Sequence, residues 1–446
     1  MAAGELAIVL HAHMPYVEGY DSWPFGEEWL WEAMACAYMP LAELLADGAP
    51  LTLSLTPVLA DQLCAEGIAG RFEAFLVGVR RRTHRLDIEQ LREHARELER
   101  AAGDYERWLG SGAGLASRLL AHARWTSAAT HAVLPLCASD AGVRLQVASG
   151  IAAHRARTER WDGGFWLPEC AYAPWIEPVL AAAGVRASCL DLTDRFGAGA
   201  PEQLRPLRTR HGPTLVPIDR ATIELVWSDR GYPAHASYRD YHRYTANGHH
   251  VWANGGRPYD HAAALEQARL DAADFIGRVR RRVAGGGLCV CAFDAELFGH
   301  WWYEGVAFLR ELVARAAATG VPLVSLDEAL ERHQPVEIAP GSLGSGSWGT
   351  SRDLSSWDCP AAAELLFVQR SLELRVLASA RSTGAASVRE LLGAMASDWT
   401  FLAARARAGD YPRRRVLAHA RAAGEVGSAG PRNLAPFADA SPLLEP

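Results

Sequence analysis

"LAIVLHAH", residues 6–13, opens with five consecutive apolar residues and ends on two histidines separated by one alanine. A run this short and this apolar reads as a strand covered on both faces, as strands of parallel sheets are. Strand alternation sends His11 and His13 to the same face. "LTLSLTP" (51–57), "RLQVAS" (144–149), "GFWLPE" (164–169), "ASCLDL" (187–192), "LCVCAFDAE" (288–296) and "PLVSLDEAL" (322–330) read as further strands. Helical spacing fills intervals between them, most clearly in "ALEQARLDAADFIGRVRRRV" (264–283). Strands alternating with helices predict an α/β sheet or barrel. About seven strands predict a barrel-like closure that is incomplete.

Residues 61–125 carry many Arg/Glu pairs at helical spacing and read as a helical excursion from the barrel. Residues 201–260 are irregular and rich in Tyr, His and Gly. Loops that long in compact domains are often lids, here expected at about 225–260. "PGSLGSGSWGTS" (340–351) reads as a junction, and 360–425 as helices without strands. The expected organisation is a catalytic barrel over 1–335, a helical domain over 336–430 and a weakly ordered tail over 431–446.

The 446 residues carry a net charge of −7, with a pI of about 6.2. That argues against nucleic acid, whose binding domains are usually strongly basic. No apolar run approaches the roughly 18 residues of a membrane helix, and the N-terminus lacks the basic region of a signal peptide. The expectation is a cytoplasmic protein with no membrane partner. Eight cysteines without a C-x-x-C pair suggest reduced thiols, Cys170 included. The chain contains no lysine, so no Schiff-base, P-loop or carbamylated-lysine chemistry is open to it.

Three strand ends carry polar groups: His11 and His13; Glu169; and Asp294, Glu296 and His300 beside Trp301 and Trp302. In a parallel barrel the C-terminal strand ends converge on one site. Two chemistries fit. H-x-H on the first strand can bind zinc in a mononuclear metal hydrolase, with His131 and Asp294 completing the ligands. Alternatively, Glu169 and Asp294 are the carboxylate pair of a retaining glycosidase or transglycosylase. Glu169 would then be the nucleophile. Asp294 would be the acid/base, its pKa raised by its aromatic surroundings. His11, His13 and His131 would bond sugar hydroxyls. The 15 tryptophans favour sugar, and Trp23, Trp29, Trp166, Trp301, Trp302, Trp348 and Trp357 sit near the clusters.

These motifs together resemble glycoside hydrolase family 57, and within it the α-1,4-glucan branching type. "HAHMPY" is similar to the family's first motif and "THAVLP" (130–135) to the region supplying His131. "WLPECAY" resembles the nucleophile motif, assigning Glu169, and "FDAELFGHWWYEG" the acid/base motif, assigning Asp294. "GSWG" (346–349) resembles the fifth motif, with Trp348 lining the site, and "SDWTFL" (397–402), with Trp399, is also similar. The resemblance implies a distorted, incomplete (β/α)7 TIM-like barrel with a helical insertion and an all-helical C-terminal domain. It implies retaining transglycosylation on an α-1,4-glucan, glycogen-like or amylose, without a cofactor or metal. Trp23 and Trp29 resemble a first-loop pair, Trp348 and Trp357 acceptor-side aromatics, and Tyr232 the tyrosine of a mobile loop that limits water. Trp252 is a further expected glucan contact, as are Trp166, Glu296, His300 and Trp301. An amylase or 4-α-glucanotransferase of the same family is the runner-up.

Overall fold

The structure, a computed structural model, describes residues 4–20, 25–424 and 433–445. Nine strands form one sheet: β1 (Glu5–Ala12), β2 (Thr52–Leu55), β3 (Ala123–Ser127), β4 (Gly164–Trp166), β5 (Ala187–Leu190), β6 (Leu207–Thr209), β7 (Thr214–Pro217), β8 (Leu288–Asp294) and β9 (Val336–Ile338). Their order is β8-β1-β2-β3-β4-β5-β7-β6-β9. From β8 to β7 every pairing is parallel. β6 runs antiparallel to β7, and β9 adds to its far side. The parallel set therefore has seven strands.

The two ends of that set nearly meet. The N–H of Asp219, just past β7, donates to the Val290 carbonyl of β8 at 2.7 Å. Asp219 is fully buried and pairs with Arg282 at 2.7 Å. β7 and β8 form no ladder, so the sheet is an incomplete (β/α)7-type barrel. Leu6–Leu10 and Leu288–Phe293 are buried throughout because helices cover the sheet from outside.

Two expected strands are not strands. Residues 144–149 lie inside helix Asp140–Arg155, whose buried Val143, Val147 and Ile151 recur every four residues. Ser139 caps it, accepting from the Gly142 N–H. In 322–330, Leu323 makes a single bridge to Leu6. Ser325 and Glu328 then form a capping box that starts helix Leu326–Arg332. Conversely, β3 lies where the helical excursion was expected to end, and the β6–β7 hairpin occupies part of the irregular 201–260 stretch.

Helices run from Pro57 to Leu120 between β2 and β3. Beyond β9, helices Ala363–Ala378, Ala385–Ala394, Ser397–Arg405 and Tyr411–Ala422 pack on the barrel. Leu372, Leu391 and Leu392 share one buried cluster with Tyr16, Val58 and Leu145, so these helices share core with the barrel. Residues 433–445 correct the expectation of a weakly ordered tail. Leu434 and Leu443 are buried in the same cluster, and the Ala435 N–H donates to Asp61 at 2.8 Å. Among the described residues no helix is long and apolar enough to cross a membrane.

Candidate active site

The C-terminal ends of the parallel strands open on a cavity of about 410 Å³. Register places the Cα atoms of His11 on β1 and Asp294 on β8 opposite one another. Glu169 follows β4 by a sharp turn. Its φ is 62° and that of Cys170 is 48°, a left-handed backbone that non-glycine residues rarely adopt. His131, after β3, has φ 61°. Backbone strain at neighbouring positions commonly marks a functional site.

Both carboxylate oxygens of Glu169 are held. Trp348 Nε1 donates to Oε2 at 3.0 Å and Ser397 Oγ to Oε1 at 3.0 Å. The Trp348 N–H also donates to the Glu169 carbonyl at 3.0 Å. Burial raises the Glu169 pKa above the usual carboxylate range, while the bonds from Trp348 and Ser397 oppose that rise. Asp294 is pushed up further, by burial first and then by Glu296, Glu169 and Asp398. Glu296 accepts from Tyr38 Oη at 2.6 Å and from the His13 N–H at 2.9 Å. Burial raises it to about 7.

The histidines form one network. His11 Nε2 and His131 Nε2 are 2.9 Å apart, so one donates and the other accepts. His11 Nδ1 bonds Ser54 and His131 Nδ1 bonds Ser397. Burial, with their histidine neighbours, holds both well below the ordinary imidazole pKa. His13 stacks 4.0 Å from the His131 ring and bonds Asp398 Oδ2 at 3.0 Å. Burial lowers its pKa, but Asp398, Glu296 and Glu169 outweigh that and raise it. His13, His131 and Asp398 also bring ligand atoms within 4.8 Å of one another and can hold a cation. That set differs from the expected zinc ligands, because His11 turns to His131 and Asp398 replaces Asp294. A cation there would have to displace the His13–Asp398 bond.

The surrounding wall is aromatic: Trp29, Trp227, Trp301, Trp348, Trp357 and Phe401 line the cavity. A sequence description of glycosyl hydrolase family 57 matches residues 125–341. A probable 1,4-alpha-glucan branching enzyme of Mycobacterium tuberculosis is 30% identical, the alignment covering 96% of this chain and 92% of that one. The 1,4-alpha-glucan branching enzyme of Thermococcus kodakarensis is 31% identical over 94% of this chain and 72% of that one. The chain belongs to glycosyl hydrolase family 57. The crystal structure of the family 57 branching enzyme from Thermococcus kodakaraensis, in complex with glucose and additives, superposes with a TM-score of 0.86 at 29% identity. It covers 94% of this chain and 89% of that one.

Within this family 57 fold, His13, Trp29, His131, Glu169, Asp294, Glu296, Trp301, Trp348 and Trp357 line the cavity. His11 and Trp166 stand behind it, their rings stacked at 4.7 Å. Trp23 lies outside the described residues. Four expected contacts are elsewhere. Tyr232 donates to Asp274 at 2.7 Å and its ring packs on Phe308, away from the cavity. The turn after Gly231, fixed by the Tyr232 N–H to the Leu225 carbonyl, aims it there. Trp252 lies under the Arg243 guanidinium at 3.9 Å. Trp399 is fully buried and donates to the Gly393 carbonyl at 2.8 Å. His300 faces a neighbouring cavity.

Asp398, Ser397, Arg220 and Trp227 were not foreseen. Arg220 pairs with Asp191 and donates to the Trp348 carbonyl at 2.8 Å, holding that loop over Glu169. The available signal for Asp398 and Ser397 was "SDW", two polar groups at a helix start beside a tryptophan.

Proposed function

We propose that the chain is a 1,4-α-glucan branching enzyme acting by retaining transglycosylation, with Glu169 as nucleophile and Asp294 as acid/base. One observation carries the reading: Glu169 and Asp294, at the ends of two parallel strands, open on one tryptophan-walled cavity in a family 57 fold, with Glu296 and Asp398 beside them. Asp294, surrounded by the Glu296, Glu169 and Asp398 carboxyls that favour its protonated form, is suited to be the proton donor, and Glu169, held by two hydrogen bonds that favour its anion, to be the nucleophile.

In the first step a Glu169 oxygen bonds to the anomeric carbon. The bond from that carbon to the glycosidic oxygen breaks, and Asp294 gives its proton to the departing 4-oxygen. In the second step Asp294, now a carboxylate, takes the proton of an acceptor 6-hydroxyl. That oxygen attacks the anomeric carbon, an α-1,6 bond forms and Glu169 leaves as its carboxylate. Two inversions give retention. The ring nitrogens of His11, His131 and His13 are taken up by one another, Ser54, Thr56, Ser397 and Asp398, so the histidines support the floor of the site, and the indole faces pack on the C–H faces of the rings.

Transfer requires that the acceptor outcompete water, and the tryptophan wall supports exclusion of solvent. The position of Tyr232 outside the cavity favours the second reading, a larger share of hydrolysis as in an amylase. The eight unpaired cysteines support a reducing, cytoplasmic setting. Incubation with amylose, with α-1,6 linkages read by proton NMR beside reducing ends, tests the proposal. New α-1,6 signal with few reducing ends is expected. Reducing ends without α-1,6 signal would make the protein an amylase.

A further inference from the structure

A second cavity, of about 790 Å³, lies next to the active-site cavity. It falls within the ~300–1,000 Å³ range of ligand pockets. The two cavities share a wall. Glu28 and Trp29 are consecutive on helix Glu27–Ala33, Glu28 lining the outer cavity and Trp29 the inner. His300 and Trp301 divide in the same way. Gly299 allows the wall to be thin: its φ is 107°, and a Cβ there would come within 1.8 Å of the Cys36 carbonyl oxygen.

The outer cavity presents two kinds of surface. Tyr241 and Tyr244 are 38% and 65% exposed, large rings left in contact with solvent. Tyr241 stacks on His250 at 5.9 Å and meets the His300 ring edge-on. Arg239 also lines it. Its guanidinium lies 3.4 Å from the centre of the Tyr303 ring and forms no hydrogen bond or ion pair among the described residues. Aromatic faces beside unengaged N–H donors suit a pyranose, which offers an apolar face and a rim of hydroxyls. The charges argue for a neutral ligand, because Arg80 is paired with Glu32 and Glu28 stands opposite Arg239 in sign.

We infer that the outer cavity binds a second stretch of neutral α-glucan, holding another chain against the wall formed by Glu28–Trp29 and His300–Trp301. Its role as an acceptor-holding site rests on the branching reading; glucan binding there does not.

The test uses the full chain carrying Glu169→Gln, so that binding is read without turnover. Native gels containing glycogen give an apparent dissociation constant from retardation, with dextran as control. Adding Tyr241→Ala and Tyr244→Ala is expected to weaken retardation by glycogen at least threefold. Tyr244→Ala alone, at a largely exposed ring, serves if the double variant fails to fold, and a twofold weakening is expected. Retardation equal to that of the Glu169→Gln parent, or none in the parent, would overturn the inference. The amylose assay separates the two proposals. Tyrosine-dependent retardation without α-1,6 product removes branching alone, and α-1,6 product with tyrosine-independent retardation removes the outer site alone.

Discussion

Ser397 Oγ lies 3.0 Å from Glu169 Oε1 and 2.9 Å from His131 Nδ1, so one hydroxyl from the C-terminal helices joins two barrel strand ends. The Ser397 N–H donates to the His131 carbonyl at 3.1 Å, fixing the start of its helix on the same loop. A hydrogen bond to a charged group is worth about 1.5–3 kcal/mol. Ser397→Ala should therefore lower kcat/KM on maltooligosaccharides roughly ten- to hundredfold, since each 1.36 kcal/mol is about tenfold in rate. Unchanged circular dichroism would locate the loss in the site. A fall of less than twofold would remove Ser397 from the positioning of Glu169.

Glu296 contributes to where the alkaline side of the activity profile should fall. Burial is the main reason the Asp294 carboxyl holds its proton, and the Glu296 charge adds to it. Glu296→Gln keeps an oxygen for Tyr38 Oη and the His13 N–H but removes that charge. Asp294 then gives up its proton at lower pH, and the alkaline limb of kcat/KM moves to lower pH. The profile against pH reads this directly, and a limb that stays in place or moves upward contradicts the acid role of Asp294.

Metal removal separates the glycosidase chemistry from the metal hydrolase. His13, His131 and Asp398 are close enough to share a cation, yet His13 is already bonded to Asp398 and His131 to His11 and Ser397. Dialysis against EDTA should leave the cleavage rate within twofold, with substoichiometric metal by emission spectroscopy. Loss of activity restored by zinc would favour the hydrolase instead.

How much of this was legible in the sequence follows from where each group sits. His11, Glu169 and Asp294 end or follow apolar parallel strands, and parallel strands end on one rim, so their proximity follows from periodicity and topology alone. Residues 144–149 read as a strand because Leu145 and Val147 alternate with polar neighbours, whereas the four-residue spacing of Val143, Val147 and Ile151 extends beyond that window and the Ser139 cap decides for helix. Asp398 and Ser397 come from a helix that reaches the site only through tertiary packing. Trp227 and Tyr232 lie in one irregular loop, where no period says which ring turns inward. A packed turn at Gly231 sends Tyr232 to Asp274 and leaves Trp227 in the cavity.

Trp348 offers the most informative single substitution. Its indole N–H bonds Glu169 Oε2, its ring meets Trp166 edge-on at 5.1 Å, and Arg220 holds its carbonyl. Trp348→Phe keeps an aromatic ring in the wall and removes only the donor. That donor lowers the Glu169 pKa against burial, so its loss lets the pKa rise further. Glu169 must be ionised to attack, and the acid limb of kcat/KM should therefore shift to higher pH, with the rate at the optimum down roughly tenfold. Trp348→Ala removes the ring as well, and its additional loss should fall in KM for glucan. An acid limb unmoved in Trp348→Phe would mean that a group other than Glu169 governs it, and the nucleophile would have to be sought elsewhere in the cavity.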